Sequence, residues 1–151
     1  MDRPIHFEVY EEPRPAQPLE DVGLDAVNLL DVMSQFNPCG LWRLDIETGL
    51  AYWTRDVFEI HNLPYKPGPV DVMAAVDAYH PQDRELLLNC LEEAVARKTG
   101  FQYVLRLTTP SGGSKMVRAI GKYQVGENGR EEVIGIVYET SGTVRGVAVR
   151  S

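Results

Sequence analysis

Hydrophobic residues between positions 21 and 37 recur at spacings of three and four. Val22, Ala26, Leu29, Met33 and Phe36 form one stripe, and Asp25, Asn28, Asp31 and Gln35 lie away from it. This period predicts an amphipathic helix over 21–37, opened by Asp21 as N-cap and stopped by Pro38. In "GLWRLDIETGLAYW" two short alternating runs flank "ETG", which is the chemistry of a hairpin with glycine at its turn. Thr54 is placed to cap a short helix, "RDVFEIHNL", whose Val57, Phe58 and Ile60 pack inward. "PYKPGP" reads as a loop and "VDVMAAVDAY" as a further short helical segment.

The stretch "AYHPQDRELLLNC" pairs a histidine with an aspartate three residues on, a spacing that suits either chemistry or a helix start. The helix start accounts for every residue of "HPQDR". His80 is the N-cap, Pro81 takes the first helical position, where its missing N–H costs nothing, and Asp83 faces the positive end of the helix dipole. Leu87, Cys90, Leu91, Ala94 and Val95 make the buried stripe of this long helix, and Gly100 suits a left-handed C-terminal position.

Three strands follow: "FQYVLRLTT" with Phe101, Tyr103, Leu105 and Leu107 on one face, "SKMVRAIGKYQV", and the nearly all-apolar "EVIGIVYET". The turns "PSGG" and "GENGRE" separate them. The order is two strands, three helical pieces and a three-stranded meander. It predicts an α+β domain with one five-stranded antiparallel sheet and helices on one face. Residues 1–20 hold four prolines and five acids, and read as a flexible tail in which "HFEVY" suits a short strand. The division is then tail 1–20, flanking helix 21–37, domain 38–142 and C-terminal tail 143–151.

With 151 residues the chain suits one domain, and its net charge of −7 argues against nucleic acid and acidic membranes as partners. The N-terminus has no apolar signal region, and no run approaches the roughly 18 apolar residues of a spanning helix. Cys39 and Cys90 have no Cys/His cluster around them. A reduced, cytoplasmic protein without a metal site is expected.

The ordered motifs resemble those of PAS domains of the fold-3 type. The family opening G-x-W-x-x-D-x-x-T-G-x-x-x-W-S reads here "GLWRLDIETGLAYWT", with Trp42, Asp45, Thr48, Gly49 and Trp53 in place. "YHPQDR" stands where the family has its HPxD motif, Phe101 and Arg106 match the following strand, and "GIVYETS" matches its last. The resemblance covers about residues 38–142. Met116 replaces the usual tryptophan, Glu139, Thr140 and Ser141 replace Asp-Ile-Thr, and the glycine usual near His61 and Asn62 is missing.

The resemblance implies a sensory or adaptor module that binds a small ligand, a protein partner, or both, with no enzymatic activity. A homodimer formed through the 21–37 helix is expected, with Val22, Ala26, Leu29, Met33 and Phe36 at the interface; the alternative is a core helix that lays this stripe across its own sheet. A histidine kinase or another PAS protein is the candidate signalling partner. A ligand would sit between the long helix and the sheet, against Phe58, Met73, Val76, Leu87, Cys90, Leu91, Tyr103, Leu105 and Ile136. Some members hold heme or flavin. Here the long helix has no histidine and the flavin-photoreceptor cysteine motif is absent, so neither is expected and the cofactor is left open. The alternative is a small α+β enzyme using a pocket acid or His80. Its candidate pair, Asp45 and Asp83, is brought together by no sequence feature.

Overall fold

The structure, a computed structural model, describes residues 7–10 and 12–140. The C-terminal tail and the first six residues lie outside them. The described chain forms β1 (Phe7–Val9), a 3-10 turn (Leu19–Val22), α1 (Ala26–Met33), β2 (Cys39–Asp45), β3 (Leu50–Trp53), α2 (Arg55–Ile60), β4 (Val70–Asp71) and α3 (Val72–Ala78). A second 3-10 turn (Pro81–Asp83), α4 (Arg84–Arg97), β5 (Gly100–Thr108), β6 (Ser114–Val125) and β7 (Glu131–Glu139) complete it.

The sheet has seven strands rather than five, in the order β1-β5-β6-β7-β2-β3-β4, and all its pairs are antiparallel. The two additions are short edge strands. β1 comes from the "HFEVY" run, which pairs with Phe101–Tyr103 of β5, and β4 is a two-residue pairing with β3 at the end of a proline-rich loop. β1 is the short strand expected in "HFEVY", whereas β4, at two residues, is too short to leave a periodicity. The α+β class stands.

The register sets two faces. Trp42, Leu44, Tyr103, Val117, Ala119, Val133 and Val137 turn to the helices, and most are fully buried. Leu41, Arg43, Ile120, Lys122, Ile134 and Ile136 alternate with them on the other face. Asp45 holds the β2–β3 turn by accepting from the N–H groups of Glu47 and Thr48, and Gly49 supplies the left-handed residue at φ +72°.

Three local expectations are corrected. The 21–37 segment is not one helix. Gly23 adopts φ +67° and closes the 3-10 turn, so α1 starts afresh at Asp25, which forms a reciprocal capping box with Asn28. Asp21 is therefore no N-cap, and Phe36 lies beyond the helix end. Thr54 occupies the N-cap position of α2, but its hydroxyl is engaged by the Leu41 N–H at 2.8 Å. The long helix ends on Lys98 in the left-handed conformation, φ 54°, and not on Gly100. Gly100 begins β5, where a side chain would overlap the Tyr10 ring. Asn62 also takes a positive φ, 58°, which asparagine tolerates better than most residues, and so fills in for the glycine missing there.

Candidate functional site

A cavity of about 70 Å³ lies between the inner face of the sheet and α2, α3 and α4. Its floor is made by Trp42, which lies over Gly135 and Gly121, glycines where a β-carbon would overlap neighbouring rings. Phe101 packs beside Trp42 with ring centroids 6.0 Å apart. Val57, Val72, Val76, Leu87 and Leu91 close the helical side. Among the lining residues Trp42, Trp53, His61, Tyr79 and Tyr103 carry polar side-chain atoms. Tyr79 and Tyr103 are buried and their hydroxyls lie 2.6 Å apart. His61 is 6% exposed, stacks on Trp53 at 4.5 Å and meets Tyr79 edge-on at 5.6 Å.

The His61 ring has a defined tautomer. Its Nδ1 is 2.7 Å from the Val57 carbonyl oxygen, which can only accept, so Nδ1 carries the proton and Nε2 the lone pair. Burial, opposed by that hydrogen bond and reinforced by the Lys115 charge, pushes the imidazole down to about 4. The folded protein thus holds His61 neutral, while the unfolded chain takes up a proton below about 6.5. Stability therefore falls as pH is lowered from about 6.5 to about 4, by about 3 kcal/mol at the lower end. Urea unfolding at a series of pH values should show this slope in the wild type and its loss in His61→Phe. An unchanged slope in the variant would assign the acid sensitivity elsewhere.

Of the residues expected around a ligand, the fold brings Val76, Leu87, Leu91 and Tyr103 to the cavity. Phe58, Cys90 and Leu105 are buried but stand behind the wall; Phe58 packs on Trp53 and Tyr65 instead. Burial pushes the Cys90 thiol up to about 12, which leaves it inert. Two expectations are corrected. Met73 is 53% exposed, because the buried face of α3 is set by Val72 and Val76. Ile136 lies on the opposite face of the sheet, since it pairs with Leu41 and Ile120 while its neighbour Val137 points inward. The sequence reading missed His61, Trp42, Trp53 and Tyr79. His61 stands one turn after Val57 on α2, and Trp42 and Trp53 are cross-strand partners in the hairpin, so spacing alone places them together.

The acid and base candidates have structural roles and separate places. Asp83 accepts from the Arg106 backbone N–H at 2.8 Å and from its guanidinium at 2.6 Å and 3.1 Å. Burial works to raise the Asp83 carboxyl, and these hydrogen bonds outweigh it and hold the carboxyl below the usual range. His80 caps its turn, Nδ1 accepting from the Gln82 N–H at 3.1 Å. Asp45 is held at the hairpin turn and by Arg130 at 2.9 Å.

The outer face of the sheet bears a shallow groove of about 650 Å³ lined by Leu41, Ile120, Ile134 and Ile136, with Arg43, Tyr52 and Lys122 around them. Met33 stands at one end, near Ile120 and Ile136. α1 itself buries no residue: Val27 is 75% and Val32 70% exposed, Leu29 and Met33 are also exposed, and so is Phe36 beyond the helix end. Among the described residues no group of three or more potential ligands could hold a metal ion, and no helix is long and apolar enough to cross a membrane.

Comparison with known proteins places this architecture. No curated protein matches the chain. Among solved structures it is similar to a sensory box histidine kinase/response regulator from Burkholderia thailandensis, 19% identical, with 76% of this chain and 84% of that one covered and a TM-score of 0.59. The N-terminal domain of a diguanylate cyclase with PAS/PAC sensor from Marinobacter aquaeolei is 16% identical, with 67% and 94% covered and a TM-score of 0.58. A PAS domain from Colwellia psychrerythraea is 14% identical, with 77% and 98% covered and a TM-score of 0.53. The sequence profile of the PAS fold family matches residues 51–137, from the second strand of the hairpin to the last strand of the sheet. With more than half of its length matched, and with the sheet and helices just described, the chain belongs to the PAS fold family.

Proposed function

We propose that this chain is a sensory signal-transduction module that works in trans, by contact with a second protein chain, and that its core cavity is the place for a small ligand. The observation that carries the contact half is the pairing of two unburied apolar surfaces, α1 and the outer face of the sheet. Burying one large apolar side chain is worth roughly 1.5–3 kcal/mol, so leaving Val27, Leu29, Val32 and Met33 in water is costly. Their charges are complementary. The segment around α1 carries Glu20, Asp21, Asp25 and Asp31 with no lysine or arginine, whereas the outer sheet face carries Arg118 and Lys122 beside Arg43, which is paired there with Glu132 at 3.6 Å.

The occupant is a second copy of this chain. α1 of each copy lies on the outer sheet face of the other, an isologous contact. A related PAS domain, such as that of a histidine kinase, presents the same kind of surface and is the candidate alternative partner; similar structures come from a sensory box histidine kinase and a diguanylate cyclase. The boundaries proposed are a flanking segment 21–37 and a PAS core 38–142, and the absence of a spanning helix in the described residues accords with a cytoplasmic setting. At about 70 Å³ the cavity is small beside the roughly 300 Å³ at which cofactor pockets begin, which supports the reading of a ligand smaller than heme or flavin. The enzyme reading has no support at His80 or Asp83, whose polar atoms are engaged in the turn and with Arg106.

Light scattering tests the contact. At tens of micromolar, roughly the range of a weak interface, the intact chain should show twice the 16.9 kDa of one copy. A Leu29→Glu, Met33→Glu variant should show one copy, and it should stay folded because α1 contributes nothing to the core. A single-copy mass for the intact chain would end the proposal.

A further inference from the structure

The strands of the sheet carry five cations, and three of them have an acid of their own. Arg43 pairs with Glu132 at 3.6 Å, Arg106 with Asp83 at 2.6 Å and Lys115 with Glu139 at 2.8 Å. Arg118 and Lys122 of β6 have no carboxylate partner among the described residues. Arg118 is half-buried. Its Nη2 donates to the neutral side chain of Gln102, and its buried Nε finds no acceptor among the described residues. By register it stands between Val104 and Tyr138, one row from Ile120 and Ile136, so its charge is set in a neutral, largely apolar patch. A charge half withdrawn from water and left unpaired is costly. The α1 segment holds the opposite surplus. Glu20, Asp21, Asp25 and Asp31 form no ion pair among the described residues, and the carboxylates of Asp25 and Asp31 accept only from Asn28 and Gln35 close by.

We infer that Arg118 and Lys122 select the partner by charge: they are the specificity-determining residues of the outer face, which takes the acidic α1 segment of a second copy and rejects a basic one. This rests on the self-association proposed above and adds the residues that decide which surfaces meet. Three two-fold pairings would cover the exposed apolar side chains: α1 on α1, sheet face on sheet face, and α1 on sheet face. The first sets unpaired acids against each other and the second unpaired cations, and like charges across an interface are strongly unfavourable. The third sets each surplus against its opposite. Dimensions agree. Arg118 and Lys122 point to the same side of β6 with Ile120 between them, so they are roughly 13 Å apart along the strand. α1, with eight residues, is about 12 Å long and spans both. The apolar middle of the groove supplies contact area, and the cations at its two ends supply the choice of partner.

Charge reversal on each surface tests the inference, read as mass by light scattering at roughly tens of micromolar. One full-length chain carries Arg118→Glu with Lys122→Glu. The other carries Asp21→Lys with Asp31→Lys, and Asp25 is kept because its carboxylate caps α1. Each variant alone is expected to self-associate at least about tenfold more weakly and to show mainly the 16.9 kDa of one copy. An equal mixture should recover the mass of two copies, because both contacts of the mixed pair then join opposite charges. If the first variant fails to fold, Lys122→Glu alone, at an exposed position, takes its place. Two copies for the sheet-face variant alone would assign the contact to α1 on α1. Two copies for the α1 variant alone would assign it to face on face. A mixture that stays at one copy would show that these charges do not select the partner. Any of these results overturns the inference while a two-copy wild type keeps self-association standing. A one-copy wild type ends both.

Discussion

Placing an isopropyl side chain at Gly135, as in Gly135→Val, is expected to cost the fold about 3 kcal/mol or more. A β-carbon there would overlap the Ile120 carbonyl oxygen and the Trp42 indole, whose Cε2 would be 2.7 Å away. A flexible side chain could swing clear, but the Ile120 oxygen belongs to the backbone of the β6–β7 ladder, where Ile120 pairs with Ile136. Relief therefore requires two central strands to part or Trp42 to leave its place over the glycines. Since Trp42 is the floor of the cavity, its emission should shift together with the loss of stability. Urea unfolding followed by tryptophan fluorescence checks both. A variant within 1 kcal/mol of wild type, or one with unchanged emission, would show that the indole does not lie on Gly135.

Asp83→Ala is expected to be the next most damaging change, at roughly 2 kcal/mol. That is below the 3–5 kcal/mol typical of fully buried pairs, because the Arg106 side chain is 35% exposed and water takes over part of its solvation. The loss combines an ion pair with an acceptor for the Arg106 backbone N–H, and it loosens the start of α4 from β5. Its pH dependence is diagnostic. The Asp83 carboxyl is held below its ordinary value of 3.8 in the folded state, so its contribution is full above that pH. It is lost as pH falls through the depressed folded value. The gap between wild type and variant should be constant from neutral pH to about 5 and close at stronger acidity. A gap that widens in acid would contradict this assignment.

The parts of this fold that were legible in the sequence are those in which a local rule and the tertiary structure agree. "HPQDR" reads as a helix start because proline and the capping histidine act locally, and the structure keeps both roles. The β5 alternation is equally plain, since its buried positions fall on every second residue. Ile136 was placed on the wrong face because "VIGIV" is apolar at successive positions and carries no phase. Its side is set by pairing with Leu41 and Ile120, partners distant in sequence. Gly100 was misread for a related reason. A glycine can signal a left-handed residue or a close approach, and only tertiary contacts decide which. The polar lining was missed because hydrophobic patterning selects apolar residues, and so passes over a buried histidine and the hydroxyl ends of two tyrosines.

The central claim, that α1 of one chain lies on the outer sheet face of another, can be read directly by mixing two samples. One chain carries a nitroxide label at Val32→Cys, a position 70% exposed on α1, and is free of isotope label; Cys39 and Cys90 are buried and should not compete for the reagent. The other is isotope-labelled wild type, so every signal observed belongs to a chain without the nitroxide. The predicted result is broadening of the amide signals of Leu41, Ile120, Ile134 and Ile136 in the labelled chain, reversed when the nitroxide is reduced. Undisturbed signals at all four positions, under conditions where the wild type has the mass of two copies, would place the contact elsewhere and contradict the account.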